Sequence, residues 1–293
     1  MRVQEENVEE IAHVAPAARP QGRALVLREA RSIKEEVLRR PTFFEHFDSA
    51  VIDWRYLRER GKEDLEREAG WIGLQKLRLF VDLTSGINFY PGLRLVDNIR
   101  ADYLASMAAI EDVMGKMEIL RSHDLILSLH RYPENNFTPP AEWQSFETTL
   151  RQLCERAGRQ EMTVHLRLGL NKPPEDLNKA VQFWGRVGAP NLRLAPSTAF
   201  LLSQKTDPPE AQKLLQGKVG LWLVDTPRED IVGRIWNGHG SIRGYADKER
   251  LEKILAIDPQ APIVLDALYK KHDEEYTDAM ALREILARQG GYH

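Results

Sequence analysis

Acidic side chains stand directly after short apolar runs at several points along the sequence. Asp53, Asp82, Asp225 and Asp266 each follow three or four hydrophobic residues. Runs of that length are typical of buried β-strands, so these carboxylates are expected where strands meet loops. Paired carboxylates at such positions can transfer protons or cleave a glycosidic bond.

Two histidines and an arginine extend this set of strand-end groups. His130 ends the apolar run 125–129, and His165 and Arg167 lie within the run 162–168. An imidazole suits general-base chemistry at neutral pH, and a guanidinium can stabilise a developing oxyanion. The predicted catalytic residues are His130, His165, Asp225, Asp266 and Arg167. An ion pair between an aspartate and Arg167 that closes a barrel mouth is the alternative interpretation for part of this set.

Two loops offer groups that could bind a polyol. Residues 131–136 combine a guanidinium, a phenol, a carboxylate and two amides, which suit sugar hydroxyls but also occur in ordinary surface turns. The glycine-rich stretch around His239 could hold an anion or a hydroxyl on its backbone N–H groups, or form a tight turn. The predicted substrate-binding residues are Asp53, Asp82, Arg131, Glu134, Asn135, Asn136, Arg193, Ser197, Trp222 and His239.

Strand-sized and helix-sized segments alternate from residue 23 onward. The predicted strands span residues 24–27, 50–54, 77–83, 125–129, 162–168, 192–195, 219–224 and 262–265. The predicted helices span residues 32–39, 63–70, 103–120, 143–157, 174–187, 248–256 and 277–288. This alternation indicates a parallel α/β sheet, and its length and repeat number favour a closed (β/α)8 TIM barrel over an open sheet.

The chain divides into a short extension and one domain. Residues 1–22 carry many charges and a run rich in alanine and proline, which predicts an N-terminal tail or linker. Residues 23–293 form the predicted single barrel domain. The extension is consistent either with a loose arm or with a chain cut from a longer protein.

Composition excludes several classes of partner. The chain has 41 basic and 44 acidic side chains, a net charge of −3, so no basic surface for nucleic acid or for a membrane is expected. No apolar run has the length of a transmembrane helix, and the polar N-terminus does not resemble a signal peptide. The lone Cys154 can form no internal disulfide. We therefore expect a cytoplasmic protein with a small-molecule carbohydrate partner, which could form a homodimer or be attached to further domains.

An ordered series of motifs runs from about residue 125 to 286. It contains Leu-Ser-Leu-His ending at His130, a strand with His165 and Arg167, the lead 187–191 into a sixth strand, Gly-His-Gly-Ser-Ile at 238–242, and a closing strand ending at Asp266. In order and spacing, this series resembles the xylose isomerase-like TIM barrels, the superfamily of sugar (phosphate) isomerases and epimerases that also includes endonuclease IV. The resemblance implies that fold and sugar chemistry at the strand ends.

The metal ligands of that superfamily are largely replaced. Its enzymes hold a divalent ion with Glu, Asp, His and Glu from strands five to eight, and the resemblance puts Arg167, Ser197, Trp222 and Asp266 at those places. A fixed guanidinium repels a cation at that range. We therefore expect no cofactor, and a divalent metal such as Mn²⁺ only if the site has been rebuilt.

Three functions remain open at this point. The first is a carbohydrate-active enzyme that works by metal-independent acid–base chemistry, such as epimerisation, elimination or hydrolysis. The second is a non-catalytic barrel that binds a carbohydrate or a partner within a larger protein. The third is a metal-dependent isomerase or epimerase whose rebuilt site uses His130, His165, Asp225, Asp266 and Glu134.

Overall fold

Eight parallel strands form the framework of the computed structural model. Its described residues are 23–27, 34, 47–83, 93, 95, 100–129, 139–169, 174, 176–204, 206–229, 235–243, 245–266 and 272–288. The strands are β1 (Arg23–Leu27), β2 (Ser49–Asp53), β3 (Arg78–Asp82), β4 (Asp124–Leu127), β5 (Thr163–Leu168), β6 (Leu192–Pro196), β7 (Trp222–Val224), β8 (Thr226–Glu229), β9 (Ile235–Gly240) and β10 (Ile263–Leu265).

The sheet closes on itself. Its strand order is β6-β5-β4-β3-β2-β1-β10-β7, with parallel pairing between neighbours. Parallel bridges from Leu194 to Val219 and from Ser197 to Leu223 join β6 to β7. The structure therefore confirms the predicted (β/α)8 barrel, with β10 as its eighth strand.

Helices surround the barrel. They are α1 (Trp54–Arg58), α2 (Lys62–Leu74), α3 (Arg100–Ile119), α4 (Pro139–Arg159), α5 (Leu177–Val187), α6 (Thr198–Ser203), α7 (Pro208–Leu215), α8 (Lys248–Leu255) and α9 (His272–Arg288). Within the described ranges, no helix is long and apolar enough to cross a membrane. Three short helices, α1, α6 and α7, and the antiparallel hairpin β8–β9 were not predicted from the sequence.

Strand alternation divides the core into two parts. Side chains on one face of the strands fill the barrel interior, where Val51, Phe80, Ile126, Ala195, Leu221, Leu223 and Val264 form a cluster. Side chains on the other face pack against the helices in a larger cluster. Because successive residues of a strand point to opposite sides, the interior cluster shows which polar residues also face inward.

Cys154 belongs to the helix-facing cluster and is buried. Burial raises the pKa of its thiol to about 12. The side chain therefore acts as a small apolar group in the packing of α4, not as a reactive thiol.

Gly220 lies two residues before β7, and its backbone N–H donates to the carbonyl oxygen of Leu194 in β6 at 2.9 Å. A Cβ at this position would lie 2.5 Å from the Cβ of Arg193 and 2.8 Å from Nδ1 of His165. We expect Gly220→Ala to lower the free energy of unfolding by about 1–3 kcal/mol, because the added atom overpacks a buried interior. Urea denaturation followed by circular dichroism measures this change.

Gly115→Ala is the matched control, since nothing lies within 4 Å of its added Cβ within α3. This variant should be more stable than the natural chain by up to about 1 kcal/mol, because alanine favours the helix. Equal stability of the two variants would contradict the packing described for Gly220.

Candidate active site

Polar side chains face inward at the carboxyl ends of the barrel strands. Asp82, Ser197, Asp225 and Asp266 each lie two residues after an interior apolar residue, namely Phe80, Ala195, Leu223 and Val264. The alternation of the strands therefore points them into the barrel above its apolar interior. Arg167 lies on the same inward face of β5, paired in register with Ala195. This end of a (β/α)8 barrel is where active sites occur in such enzymes.

Arg167 is the centre of this group. Its guanidinium donates a hydrogen bond to Asp266, and its Nη1 lies 3.6 Å from Oδ2 of Asp82. Only 5% of the Arg167 side chain is exposed, against 3% for Asp266 and 13% for Asp82. Burial, the largest single influence, lowers the pKa of Arg167, but the charges of Asp266, Asp82 and Asp225 together raise it above its ordinary value. The guanidinium is therefore a permanent cation at the barrel mouth.

Asp225 holds the start of α6. Its Oδ1 accepts hydrogen bonds from Ser197 Oγ at 2.6 Å and from the backbone N–H of Ala199 at 3.0 Å. Ser197 in turn is the N-cap of α6 and accepts from the N–H of Phe200 at 3.3 Å. These bonds orient the carboxylate and connect β7 to the chain that follows β6. Asp225 thus has a clear structural task at the mouth beside any role toward a ligand.

Asp53 ends β2 as predicted and caps the helix that follows. Its Oδ1 accepts from the backbone N–H of Arg55 at 2.8 Å, and its Oδ2 lies 2.7 Å from Nη2 of Arg55. The carboxylate is thus engaged by α1, which explains the residue type at this position without a ligand. Its predicted role in substrate binding stays a prediction.

His165 does not lie at the mouth, so the prediction that it is a base at the carboxyl end of its strand is wrong about its location. It precedes Arg167 by two residues on the same inward face, which puts it one layer deeper in the barrel. Its Nε2 lies 2.9 Å from Oδ1 of Asp124, the first residue of β4, and only 2% of the side chain is exposed. Arg78, the first residue of β3, also pairs with Asp124, at 2.8 Å. His165 therefore belongs to a cluster at the amino ends of the strands.

Arg193 is also placed at the amino-terminal end. It pairs in register with His165, and its Cβ and Cγ lie next to Gly220, as does Nδ1 of His165. The prediction that Arg193 contacts a substrate at the mouth is therefore wrong. Within the described residues, Nδ1 of His165 is buried without a hydrogen-bond partner, and Gly220 leaves the space that this imidazole occupies.

Trp222 faces the helices, so the prediction that it binds substrate at the barrel mouth is wrong. It is fully buried in the helix-facing cluster, and its Nε1 donates to the carbonyl oxygen of Asp258 at 3.1 Å. Its neighbours Leu221 and Leu223 are the residues that face the interior. The error is one of register, since a shift of one residue along a strand exchanges its two faces.

The glycine-rich stretch does not form a free turn. Residues 235–240 form β9, so the backbone of His239 lies in the hairpin with β8. Just beyond it, the N–H groups of Ile242 and Arg243 donate to the buried carboxylate of Asp278 at 2.8 and 3.0 Å. Backbone donors that could have held an anion are thus engaged by a carboxylate from α9. The role predicted for His239 itself stays a prediction.

Five predicted site residues lie outside the described residues. They are His130, Arg131, Glu134, Asn135 and Asn136. Their predicted roles as base and as polyol-binding groups stay predictions.

The described residues do not fit the divalent metal that the resemblance implies. Among them, no three His, Cys, Asp or Glu side chains converge to form a metal site. Asp266 is the one position in the implied ligand set with a carboxylate, and it accepts from Arg167, whose charge repels a cation. Ser197 is engaged with Asp225, and Trp222 points away from the barrel interior.

Two functional groupings were not predicted from the sequence. Asp124 is the first residue of a strand, whereas the prediction considered residues at the ends of strands. Nothing in the sequence near Asp124 indicates that it pairs with His165 and Arg78. Asp278 lies within α9, at a position whose pattern is that of an ordinary amphipathic helix. Only the packing of α9 against residues 241–243 makes this carboxylate important.

Solved structures show where this architecture occurs elsewhere. D-psicose 3-epimerase, solved in the presence of D-fructose, superposes with a TM-score of 0.71 at 12% identity, over 91% of this chain and 97% of that chain. The probable 3-DHS dehydratase of Bacillus anthracis gives a TM-score of 0.68 at 13% identity, over 89% and 98% of the two chains. A xylose isomerase domain protein of Planctomyces limnophilus gives 0.64 at 13% identity, over 92% and 98%.

These superpositions establish the fold. The chain has the (β/α)8 TIM-barrel fold of these structures, which is the fold that the resemblance of its sequence motifs implies. No family model and no curated protein matches the sequence.

The cluster at the amino-terminal end makes stability depend on pH in a defined direction. Burial, the largest single influence, raises the pKa of Asp124, but hydrogen bonds and charges from His165 and Arg78 hold it below its ordinary value of 3.8. A carboxyl whose pKa falls on folding stabilises the fold above its unfolded pKa, and this contribution is lost as the pH falls through the folded pKa. We expect Asp124→Asn to lose about 2 kcal/mol of unfolding free energy at pH 7.

The difference between Asp124→Asn and the natural chain should shrink as the pH falls below 3.8. Urea denaturation at a series of pH values between neutral and acid measures it. Asp64→Asn is the control, because Asp64 pairs with Arg67 on the exposed surface of α2 and should change stability by less than about 0.5 kcal/mol. A deficit of Asp124→Asn that does not depend on pH would refute the ion-pair interpretation.

Proposed function

We propose that this barrel acts on a sugar or polyol by metal-independent acid–base chemistry at the carboxyl ends of its strands. The observation that carries the proposal is the position of the Arg167 guanidinium beside Asp266 and Asp82 at this end. A permanent cation and ionisable carboxylates within contact distance provide both an electrophile and proton acceptors. The fold supports the choice of substrate, because it is shared with an epimerase that acts on D-psicose and with a probable dehydratase.

Asp82 is the best candidate for the group that moves a proton. It is the most exposed of the Arg167 contacts, with 13% of its side chain accessible, so a ligand above the mouth can reach it. In an epimerisation, such a carboxylate removes a proton from the carbon next to a carbonyl group, and the electron pair moves to the carbonyl oxygen. Return of a proton to the opposite face of that carbon gives the epimer. The same first step begins an elimination in which a neighbouring hydroxyl leaves as water.

Arg167 and Asp266 then have distinct roles. The guanidinium has several N–H donors in a rigid plane and can stabilise the negative charge that develops on the substrate oxygen. Asp266, almost completely buried, accepts from Arg167 and fixes its orientation. Asp225 positions α6 and adds its charge to the field around Arg167. His130, which lies outside the described residues, is proposed as the second proton-transfer group.

A metal-dependent route is less consistent with the described part of the mouth. The guanidinium donates to Asp266 and repels a cation there, and the described residues bring no three metal-ligating side chains together. A barrel that binds a carbohydrate without converting it uses the same contacts, and measurement of product separates it from the enzyme.

The test combines binding with product analysis. Purified protein treated with EDTA is incubated with a panel of ketoses, aldoses and polyols that includes D-fructose, and thermal shift identifies compounds that raise the melting temperature. Reaction mixtures with each hit are then followed by NMR in D₂O. The proposal predicts exchange at the carbon beside the carbonyl or formation of a product, with undiminished rate in EDTA.

Asp82→Asn should lower turnover of the hit compound by a factor of about 100 or more, because the amide cannot accept the proton. Asp64→Asn removes the same charge from the exposed surface of α2 and should leave turnover unchanged. Stabilisation by a sugar without exchange or product would identify a binding module. Turnover that EDTA abolishes and Mn²⁺ restores would contradict the proposal.

A further inference from the structure

Arg167 contacts carboxylates from β3 and from the end of β10, two strands that pair neither with β5 nor with each other. It projects from β5, whereas Asp82 ends β3, Asp266 follows β10 and Asp225 follows β7. In the sheet order, β3 and β10 are separated by β2 and β1, so the guanidinium lies between carboxylates from separate parts of the barrel mouth. A single buried cation thus holds side chains from several strands at one point.

The positive charge at this point compensates the carboxylates around it. Buried carboxylates close to one another are stable only when a cation or hydrogen-bond donors compensate them. The charges of Asp266, Asp82 and Asp225 all act on Arg167, which identifies the guanidinium as the group that they share. Carboxylate oxygens are also the ligands that Mn²⁺ and Mg²⁺ accept.

We propose that the Arg167 guanidinium is the built-in cation of this site, and that a chain without it takes up a divalent metal ion between Asp82 and Asp266. In the natural chain, the guanidinium lies between these two carboxylates and excludes the metal ion by electrostatic repulsion. The described residues therefore do not fit a metal ion because the guanidinium takes its place. This inference deepens the proposed function at the same site, but its test uses no sugar and no measurement of turnover.

The experiment measures the binding of Mn²⁺ alone to the natural chain, Arg167→Ala and Arg167→Lys, all freed of metal by EDTA and dialysis. Arg167→Ala opens space beside the carboxylates, whereas Arg167→Lys retains a positive charge. We expect Arg167→Ala to bind one Mn²⁺ per chain by electron paramagnetic resonance, with a melting temperature that rises as Mn²⁺ is added. The natural chain and Arg167→Lys should bind none at this site.

The double variant Arg167→Ala, Asp82→Asn tests the location of the ion. Loss of one carboxylate should weaken Mn²⁺ binding by about tenfold or more. The matched double variant Arg167→Ala, Asp64→Asn removes an exposed carboxylate and should bind as Arg167→Ala does. Binding that Asp82→Asn leaves unchanged would place the ion elsewhere and overturn the proposal.

Folding of Arg167→Ala is itself informative, since the variant removes the guanidinium that Asp82 and Asp266 contact. A variant that refolds only in the presence of Mn²⁺ or millimolar guanidinium supports the proposal, because either ion supplies the missing charge. A variant that neither binds nor refolds with either cation overturns it. Stoichiometric Mn²⁺ binding by the natural chain, lost in Asp82→Asn or Asp266→Asn, would also overturn it. Failure of the sugar panel would affect the proposed function and leave these results unchanged.

Discussion

The ion network of Arg167 is the interaction on which the carboxyl-terminal end of this barrel depends. An arginine side chain of which only 5% is exposed needs anionic partners, and Asp266 and Asp82 supply them from the ends of β10 and β3. The guanidinium in turn compensates the negative charges of these two partners, which are themselves little exposed. The network therefore fixes both the geometry and the electrostatics of the surface on which a ligand would rest.

The two ends of the barrel use the same kinds of side chain for different purposes. His165 and Arg167 are separated by one residue and share a face of β5, yet they belong to different clusters. At the amino-terminal end, His165 and Arg78 share the carboxylate of Asp124. Between the two ends, apolar residues such as Phe80, Leu223 and Val264 fill the interior. The two clusters use different carboxylates, Asp124 at one end and Asp82 and Asp266 at the other.

Much of the fold could be predicted from the sequence, because the alternation of apolar runs and amphipathic segments is strong. Each predicted barrel strand overlaps an observed one, and the carboxylates of Asp82, Asp225 and Asp266 lie at strand ends as predicted. The short helix α6 and the hairpin β8–β9 were missed, since a helix of six residues and a glycine-rich strand have little periodicity.

The details of the site were harder to predict, for a physical reason. Trp222 lies in a predicted strand, but a buried parallel strand is apolar on both faces, so the sequence does not show which face turns inward. The depth of His165 in the barrel depends on the register of β5 with its neighbours, and the sequence alone does not show that register. The partner of His165, Asp124, lies 41 residues away in the sequence, and no local pattern joins the two.

The most direct test of this account is a double-mutant cycle between Arg167 and Asp266. The free energy of unfolding is measured by urea denaturation at pH 7 for the natural chain, Arg167→Met, Asp266→Asn and the variant with both changes. We expect Arg167→Met alone to lose about 3–5 kcal/mol and the addition of Asp266→Asn to restore part of this loss, with a coupling energy above about 2 kcal/mol. Losses that simply add would show that the two groups do not depend on each other, which would contradict the account.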